Sequence, residues 1–312
     1  MAVSGNTLVV GAPGEDSGAT GINGDGGRND ALDAGAVYVF QRNNPGQWVQ
    51  QAYVKGDATG GGDRFGYSVA IEAERMIVGA VLEESGSRGV NGDQLDNGLH
   101  GSGAAYVFER SDGIWRQRAY LKAANADADD RFGHDVDIQG GRVAVSAIAE
   151  DSGSLSDPFD NSVRDSGAVY LFDESIDGWQ QSAYLKASNP GDTDSFGSAV
   201  ALQKQEGNAL VVGAPDEDAS GAFLDGLPQD NSVPDNGAVY VFARSSDESA
   251  VWNEILYLHA DNQDSGDAFG SAVAFDTGNL VIGAPGESAN PQTGPDPSDN
   301  SLAGAGAVYV FR

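Results

Sequence analysis

The sequence predicts an all-β fold built from repeated four-stranded antiparallel sheets, and three observations lead to this prediction. The motif GAVYVF at residues 35–40 returns in nearly the same form at residues 103–108, 167–172, 237–242 and 306–311. The copies follow one another at a nearly constant spacing along the chain. Short β-type runs separate clusters of Gly, Asp and Ser, without helical periodicity. Recurrence of this kind indicates a repeat architecture in which no single unit is a domain.

The first two β-type runs of a repeat are marked by an FG pair and by a run that ends in GAP or a variant of it. In the third repeat, DRFGHDVDI alternates polar and apolar residues, and GGRVAVSAI follows after a small turn. The FG pairs begin at Phe65, Phe132, Phe196 and Phe269. The second run appears as LVVGAP, MIVGAV, VAVSAI, LVVGAP and LVIGAP. This order predicts two adjacent strands at the start of each sheet.

The last two runs carry recurrent aromatic residues. The GAVYVF run is followed by a run such as WQQSAYLKA, in which Trp and Tyr recur together. A single four-stranded sheet cannot bury both of its apolar faces, whereas sheets stacked around an axis cover one another. Each Phe or Trp buries about 150–250 Å² when it is covered, so we expect these residues in the core. The sequence therefore predicts a β-propeller of four-stranded antiparallel blades.

The order FG, a strand ending in VGAP, and then GxVYVF resembles the FG-GAP repeat of integrin α-chain propellers and related bacterial surface proteins. The resemblance covers essentially the whole chain and implies a propeller, usually extracellular, that acts in adhesion or ligand binding. We assign a single propeller over residues 1–312, with repeats at approximately 1–62, 63–129, 130–193, 194–266 and 267–312. The first and last repeats are incomplete. Either the five repeats close a ring, or they are a section of a seven-bladed propeller, the usual number in this family.

Composition excludes several classes of function. The net charge is −30, from 47 acidic and 17 basic residues, which excludes nucleic-acid binding and opposes binding to anionic lipid. No apolar run approaches the roughly 20 residues that span a membrane, so we expect no membrane insertion. The chain has no cysteine, which excludes disulfides. Met1 leads directly into AVSGNTLVVGAP rather than into a signal peptide, which favours a piece of a longer extracellular or cell-surface protein.

The loops between the second and third strands are long and acidic, and they are the candidate metal sites. The first loop is the densest, and its predicted calcium ligands are Glu15, Asp16, Asp25, Asp30 and Asp33. Calcium takes six to eight oxygen ligands, which such a loop supplies if its two ends meet. Alternatively, Asp and Asn cap turns through their own backbone. The resemblance carries no calcium site over, because the DxDxDG pattern between the first two strands is absent.

The aspartates before FG, the lysines after the fourth strand and the three histidines lead to further predictions. The aspartates before FG are expected to fix a turn by accepting backbone N–H bonds; they are Asp63, Asp130, Asp194 and Asp267. The lysines after the Tyr of the fourth strand are interpreted as protection of the outer sheet edge; they are Lys55, Lys122 and Lys186, with His259 in the fourth repeat. His100, His134 and His259 occupy different repeat positions, which favours surface or turn roles over a shared zinc site.

Two functions from different classes fit the sequence. The first is a non-catalytic extracellular binding or adhesion module whose long acidic loops contact a protein or glycan. The apolar residues Phe223, Leu224 and Leu227 of the fourth loop are its predicted ligand contacts, and an open outer edge after the last strand would allow oligomer formation. The alternative is the propeller portion of a secreted polysaccharide-acting enzyme. The repeat-symmetric acids and the lack of a catalytic motif favour the binding module.

Overall fold

The computed structural model describes residues 1–44, 46–204, 207–218, 231–246, 250–276, 278–289 and 300–312. In these residues nineteen β-strands form five antiparallel sheets, and no helix is present. Four sheets have four strands, and the fifth has three. The predicted all-β fold of four-stranded antiparallel sheets is therefore confirmed.

Within each sheet, strands that are consecutive in the chain are neighbours, so each sheet is a meander. Sheet I contains β1 (Ala2–Ser4), β2 (Thr7–Ala12), β3 (Ala36–Asn44) and β4 (Gln47–Val54). Sheet II contains β5 (Phe65–Glu72), β6 (Arg75–Ala80), β7 (Ala104–Ser111) and β8 (Ile114–Leu121). Sheet III contains β9 (Phe132–Gln139), β10 (Arg142–Ala147), β11 (Ala168–Ser175) and β12 (Gly178–Leu185). Sheet IV contains β13 (Ala199–Leu202), β14 (Ala209–Ala214), β15 (Ala238–Arg244) and β16 (Trp252–Leu258). Sheet V contains β17 (Ala272–Asp276), β18 (Asn279–Ala284) and β19 (Ala307–Phe311).

The chain divides into two compact units. The first comprises residues 1–147 and 170–182, and the second comprises residues 148–169 and 183–312. In the first unit, β5 packs against β2 and β9 of the neighbouring sheets, while β8 forms the opposite edge of its own sheet. In the second unit, β13 packs against β17. The FG strand therefore lies where sheets approach each other, and the Trp–Tyr strand lies at the outer edge.

The FG phenylalanines are core residues, as the sequence predicts. Phe132 is fully buried, and its ring centroid lies 5.3 Å from that of Tyr170 and 6.1 Å from that of Phe172. The same edge-on contacts recur around Phe65, Phe196 and Phe269. Trp115, Trp179 and Trp252 are also buried, whereas Trp48 of sheet I is 38% exposed. A phenylalanine ring thus packs over the third strand of each of sheets II to V.

The glycines of the motifs allow two backbones to approach each other closely. A Cβ at Gly79, in the GAV of sheet II, would lie 2.1 Å from the carbonyl oxygen of Gly133. A Cβ at Gly103, which precedes β7, would lie 2.1 Å from the carbonyl oxygen of Phe132. The amide of Phe132 donates a hydrogen bond to the Ser102 carbonyl at 3.0 Å. The backbone segments around Gly103 and Phe132 are therefore held against each other. The recurring Gly before AVYVF is therefore required by the junction between successive sheets.

We expect Gly103→Ala to destabilise the chain more than Gly113→Ala. Both glycines have a positive φ, +77° and +76°, so both substitutions carry a backbone cost of about 1–2 kcal/mol. Gly113 faces open space, whereas Gly103 faces backbone, which adds an overpacking cost of about 1–3 kcal/mol. Denaturant unfolding of the two variants measures the difference. Equal losses of stability in the two variants would show that the backbone at the junction between sheets moves to accommodate the added Cβ.

Candidate functional site

Each long loop begins with a glutamate that follows the GAP-type turn. This glutamate lies where the two ends of the loop come together, and we call this point the neck of the loop. These glutamates are Glu15, Glu83, Glu150, Glu217 and Glu287, and the last four are at least 97% buried. In every repeat the glutamate carbonyl accepts a hydrogen bond from the Gly before the third strand, as in the 2.9 Å bond from Gly103 to Glu83. The two ends of each loop therefore meet, which is the condition that the calcium prediction set.

A lysine from the outer strand reaches the neck glutamate in the first three repeats. Lys122 Nζ lies 3.0 Å from Glu83 Oε2 and 2.6 Å from Ser102 Oγ, and Lys122 and Glu83 are both buried. Burial lowers the pKa of Lys122, and the Glu83 carboxylate opposes that shift. The interaction closes the neck from the side of the outer strand.

The first and third repeats build the same neck with a tyrosine added. Lys186 Nζ lies 2.9 Å from Glu150 Oε2, and Tyr184 Oη donates to Glu150 Oε1 at 2.9 Å. Lys55 Nζ lies 3.1 Å from Glu15 Oε2, and the Lys55 side chain is fully buried. The interpretation of Lys55, Lys122 and Lys186 as edge protection is therefore wrong. Each ammonium instead pairs with a glutamate that lies 36 to 40 residues earlier in the chain.

The fourth repeat has no lysine at this position. His259 takes its place and is fully buried, so a surface role for His259 is wrong, whereas its ring contacts the Ala260 carbonyl and Gln263 of the following turn, which fits the expected turn role. Glu217 instead accepts hydrogen bonds from Asn189 Nδ2 at 3.0 Å and from Tyr240 Oη at 2.9 Å. Burial raises the pKa of both Glu217 and Asp194, and the proximity of these two carboxyl groups raises the pKa of Glu217 further. This neck therefore holds two buried acids where the first three necks hold an ion pair.

We expect His259→Lys to stabilise the chain more at about pH 8 than at about pH 5. A carboxyl whose folded pKa is raised stabilises the folded state most at low pH, and this contribution is lost as pH rises through the folded pKa. Asp194 and Glu217 therefore destabilise the natural chain progressively above the unfolded value of about 4. An ammonium at residue 259 would pair with the ionised acids. Thermal melts at both pH values measure the effect, and a shift that does not depend on pH would contradict it.

The aspartates before FG fix the turns between sheets, as predicted. Asp130 accepts a hydrogen bond from the Asp127 amide at 2.7 Å, and Asp194 accepts one from the Gly191 amide at 2.6 Å. The equivalent bonds at Asp63 and Asp267 measure 2.7 and 2.9 Å. Burial raises the pKa of Asp63 to about 7 and that of Asp267 to about 6. The four aspartates thus bind backbone amides, and Asp130, Asp194 and Asp267 do so while buried.

The family of the chain follows from a comparison with protein-family models. The model described as FG-GAP repeat matches residues 48–108, 115–172, 179–242 and 252–311, which together are more than half of the chain. The chain belongs to the FG-GAP repeat family. Its fold class is the β-propeller that the sequence predicts. A search of curated proteins finds no significant match to this FG-GAP chain.

Each FG-GAP match straddles two sheets. A match begins at the Trp of an outer strand and ends at the Phe of the third strand in the following sheet, as in residues 115–172. The repeat therefore supplies the outer strand of one sheet and the three inner strands of the next. Counted by these matches, the lysine that closes a neck lies in the match after the one that supplies the glutamate, as Lys122 in residues 115–172 pairs with Glu83 in residues 48–108.

Sequence analysis missed an asparagine that links the sheets of the FG-GAP chain. Asn125 Oδ1 accepts a hydrogen bond from Tyr170 Oη at 2.8 Å, and Asn189 Oδ1 accepts one from Tyr240 Oη at 2.8 Å. Asn262 and Tyr309 repeat this contact at 3.0 Å. The signal was present as KAAN, KASN and HADN, three residues after each neck position.

The predicted calcium ligands of the first loop are held by protein groups. Glu15 binds Lys55 and Tyr53, Asp30 binds Arg28 and the Gly18 amide, and Asp25 accepts from the Gly27 amide. Asp16 Oδ1 accepts from the Asp33 amide at 2.9 Å. In the part of the chain that the structure describes, no three acidic, His or Cys side chains are placed to hold a metal. The geometry therefore fits the turn-capping alternative, and calcium binding stays a prediction.

The remaining candidate residues either lie apart from one another or fall outside the described residues. His100 is exposed and contacts Asp129 at 2.8 Å, while the His134 ring stacks at a tilt on Tyr67. Neither lies in the neck that contains His259. The predicted ligand contacts Phe223, Leu224 and Leu227 lie outside the described residues. Among the described residues, no helix has the length and apolar character needed to cross a bilayer.

Proposed function

We propose that this FG-GAP chain is a non-catalytic extracellular binding or adhesion module whose long acidic loops contact a protein or glycan. One observation carries the proposal: the loops are pinned at their necks by buried polar groups and display large apolar side chains to solvent. A fixed loop with an exposed apolar tip loses little conformational entropy when it binds.

The pinning of the loops is uniform in all five repeats. Besides the bond to the neck glutamate carbonyl, the next residue of each loop head accepts a backbone bond from the loop tail. Examples are Ala31 to Asp16 at 2.8 Å, Leu99 to Glu84 at 2.8 Å and Leu302 to Ser288 at 3.2 Å. Two backbone bonds and the neck glutamate hold each loop base, so the first three loops, which the structure describes in full, are each presented in one orientation.

The exposed apolar residues recur in the same loops. Leu32 is 72% exposed, Leu95 is 80% exposed and Phe159 is 61% exposed. Leu95 and Phe159 occupy equivalent positions, eight residues before the Gly that precedes the third strand, whereas Leu32 lies three residues before that Gly. Large apolar side chains exposed in three of these loops favour a contact surface over scattered surface residues. Leucine and phenylalanine suit a protein ligand or the apolar face of a sugar ring, and the surrounding acids favour a ligand with positive or neutral groups.

The enzyme alternative has less support. A glycoside-cleaving site needs two carboxyl groups that reach the substrate, one of them with a raised pKa. Asp194 and Glu217 have raised pKa values, but both side chains are almost completely buried. A substrate would have to displace the hydrogen bonds of Asn189 and Tyr240 to reach them.

Glycan-array and random-peptide phage-display selection on the immobilised chain tests the proposal. Selected ligands are then measured on the variant Leu32→Ser, Leu95→Ser, Phe159→Ser. The matched control carries Ile114→Ser, Ile176→Ser and Val251→Ser, exposed residues outside these loops. We expect affinity to fall about tenfold or more in the loop variant only. Selected ligands that bind both variants equally, or polysaccharide cleaved by the natural chain, would overturn the proposal.

Calcium is the one cofactor that we propose for this module, as a stabiliser of the first loop. Thermal melts in chelator and in millimolar calcium are compared with sodium chloride at matched ionic strength, because sodium reproduces simple screening of the acidic surface. A calcium-specific rise in melting temperature that disappears in Asp30→Ala with Asp33→Ala is the expected result. The same shift in sodium chloride would contradict calcium binding.

A further inference from the structure

We propose that the fourth neck binds a small monovalent cation, ammonium or potassium, at the carboxyl groups of Asp194 and Glu217. The cation takes the role that a lysine ammonium has in the first three necks. The proposal is independent of the loop surface described above. It rests on two buried acids, on the replacement of the lysine that pairs with the glutamate elsewhere, and on buried polar atoms that have no partner.

The fourth neck concentrates acidic groups away from water. Asp194 is 2% exposed and Glu217 is 1% exposed, and a hydrogen bond joins their carboxyl groups. The other donors to Glu217 are neutral, namely Asn189 Nδ2 at 3.0 Å and Tyr240 Oη at 2.9 Å. Among the described residues, no Lys, Arg or His nitrogen lies within 4.0 Å of either acid. Buried carboxylates are stabilised when a cation pairs with them, so this site favours a bound positive charge.

The third neck shows how an ammonium group completes the same arrangement. Lys186 Nζ lies 2.9 Å from Glu150 Oε2 and 2.6 Å from Ser166 Oγ. Two positions differ in the fourth neck, where His259 replaces the lysine and Asn236 replaces the serine. The imidazole forms no described ion pair with either acid. A free cation would supply the charge that the lysine supplies elsewhere.

Two buried polar atoms beside these acids have no hydrogen-bond partner in the described structure. They are His259 Nε2 and Tyr257 Oη, on residues that are 0% and 5% exposed. The two residues are two positions apart, and their rings meet edge-on at 5.7 Å. The Tyr257 ring lies 5.0 Å from that of Tyr240, whose hydroxyl binds Glu217, so both side chains lie on the neck side of the strand. His259 Nδ1 lies 3.2 Å from the Ala260 carbonyl, which directs Nε2 away from that turn.

These groups suit a monovalent cation. An ammonium ion donates in four directions, and the neck offers carboxylate and phenol oxygens and, in one tautomer, an imidazole nitrogen. In the part of the chain that the structure describes, no three acidic, His or Cys side chains converge to hold a metal, as a calcium or zinc site would require. Tyr120 Oη of the second neck is also unpartnered, so the buried histidine, rather than the tyrosine, distinguishes the fourth neck.

Thermal melts in three chloride salts test the proposal. The natural chain is melted at about pH 8 in ammonium, potassium and tetramethylammonium chloride at equal ionic strength, because tetramethylammonium screens charge but is too large for the neck. We expect ammonium or potassium to raise the melting temperature by at least about 2 °C relative to tetramethylammonium. The larger rise identifies the cation. Equal melting temperatures in the three salts would overturn the proposal.

Variants locate the cation. Glu217→Gln removes one carboxylate and His259→Lys supplies a tethered ammonium, so each should abolish the difference between salts, whereas the exposed control Asp112→Asn should keep it. Salts are compared within each variant, so a change in basal stability does not enter. Crystals soaked in thallium(I), a heavy monovalent cation, should show an anomalous peak beside Asp194 and Glu217. A salt difference that persists in both neck variants, or no thallium peak in the neck, would overturn the proposal.

Discussion

Replacing Lys122 by methionine is expected to lower the free energy of unfolding by about 3–5 kcal/mol, because the substitution leaves the Glu83 carboxylate buried without its cation. Both side chains are at most 3% exposed, and the Lys122 ammonium also donates to Ser102. Methionine keeps most of the side-chain volume, so the loss reports charge rather than packing. Urea unfolding at neutral pH provides the measurement.

Two further variants distinguish a buried ion pair from a general effect of charge. Adding Glu83→Gln to Lys122→Met should restore much of the lost stability, because the remaining buried group is then neutral. Arg118→Met removes a cation from an exposed pair with Glu109 at 2.7 Å and should cost less than about 1 kcal/mol. Similar losses of stability in Lys122→Met and Arg118→Met would mean that water reaches the neck and that the Lys122–Glu83 pair contributes little to stability.

Replacing Phe172 by alanine is expected to cost about 3–5 kcal/mol through loss of burial and creation of a cavity. Phe172 is fully buried on β11, and its ring meets that of Phe132 edge-on. The surrounding residues belong to paired strands, which limits how far the site can collapse. Denaturant unfolding measures the loss.

The matched control is Phe159→Ala in the third long loop, where the phenylalanine is 61% exposed. Surface substitutions of this kind usually change stability by about 0.5 kcal/mol or less. A loss in Phe159→Ala comparable with that in Phe172→Ala would mean that the loop residue packs in solution and is unavailable as a ligand contact.

The fold and the turn aspartates were predictable because their signals are local. FG, GAP and GAVYVF recur in a fixed order, and an all-β repeat is the simplest structure that buries their apolar faces. Asp130 bonds an amide three residues earlier, a distance over which side-chain chemistry alone specifies a turn. Such features require no knowledge of where distant segments lie.

The necks were not predictable because their partners are far apart in sequence. A lysine just beyond an outer strand normally extends into water, and only the position of Glu83, 39 residues earlier, reveals that Lys122 is buried. The calcium prediction illustrates the converse problem. The same carboxylate oxygens can bind a metal or backbone amides, and loop closure decides which groups reach them. In the first loop, Asp16 and Asp25 face amides of their own loop.

Each FG-GAP match covers the last strand of one sheet and the first three strands of the next. This arrangement affects how gene duplication can lengthen the array. Inserting one more unit from Trp to Phe between two existing units would complete the preceding sheet and begin another in the same step. No interior sheet would lack an edge strand at any stage. Arrays of different length are therefore accessible by single duplications that leave every interior sheet complete.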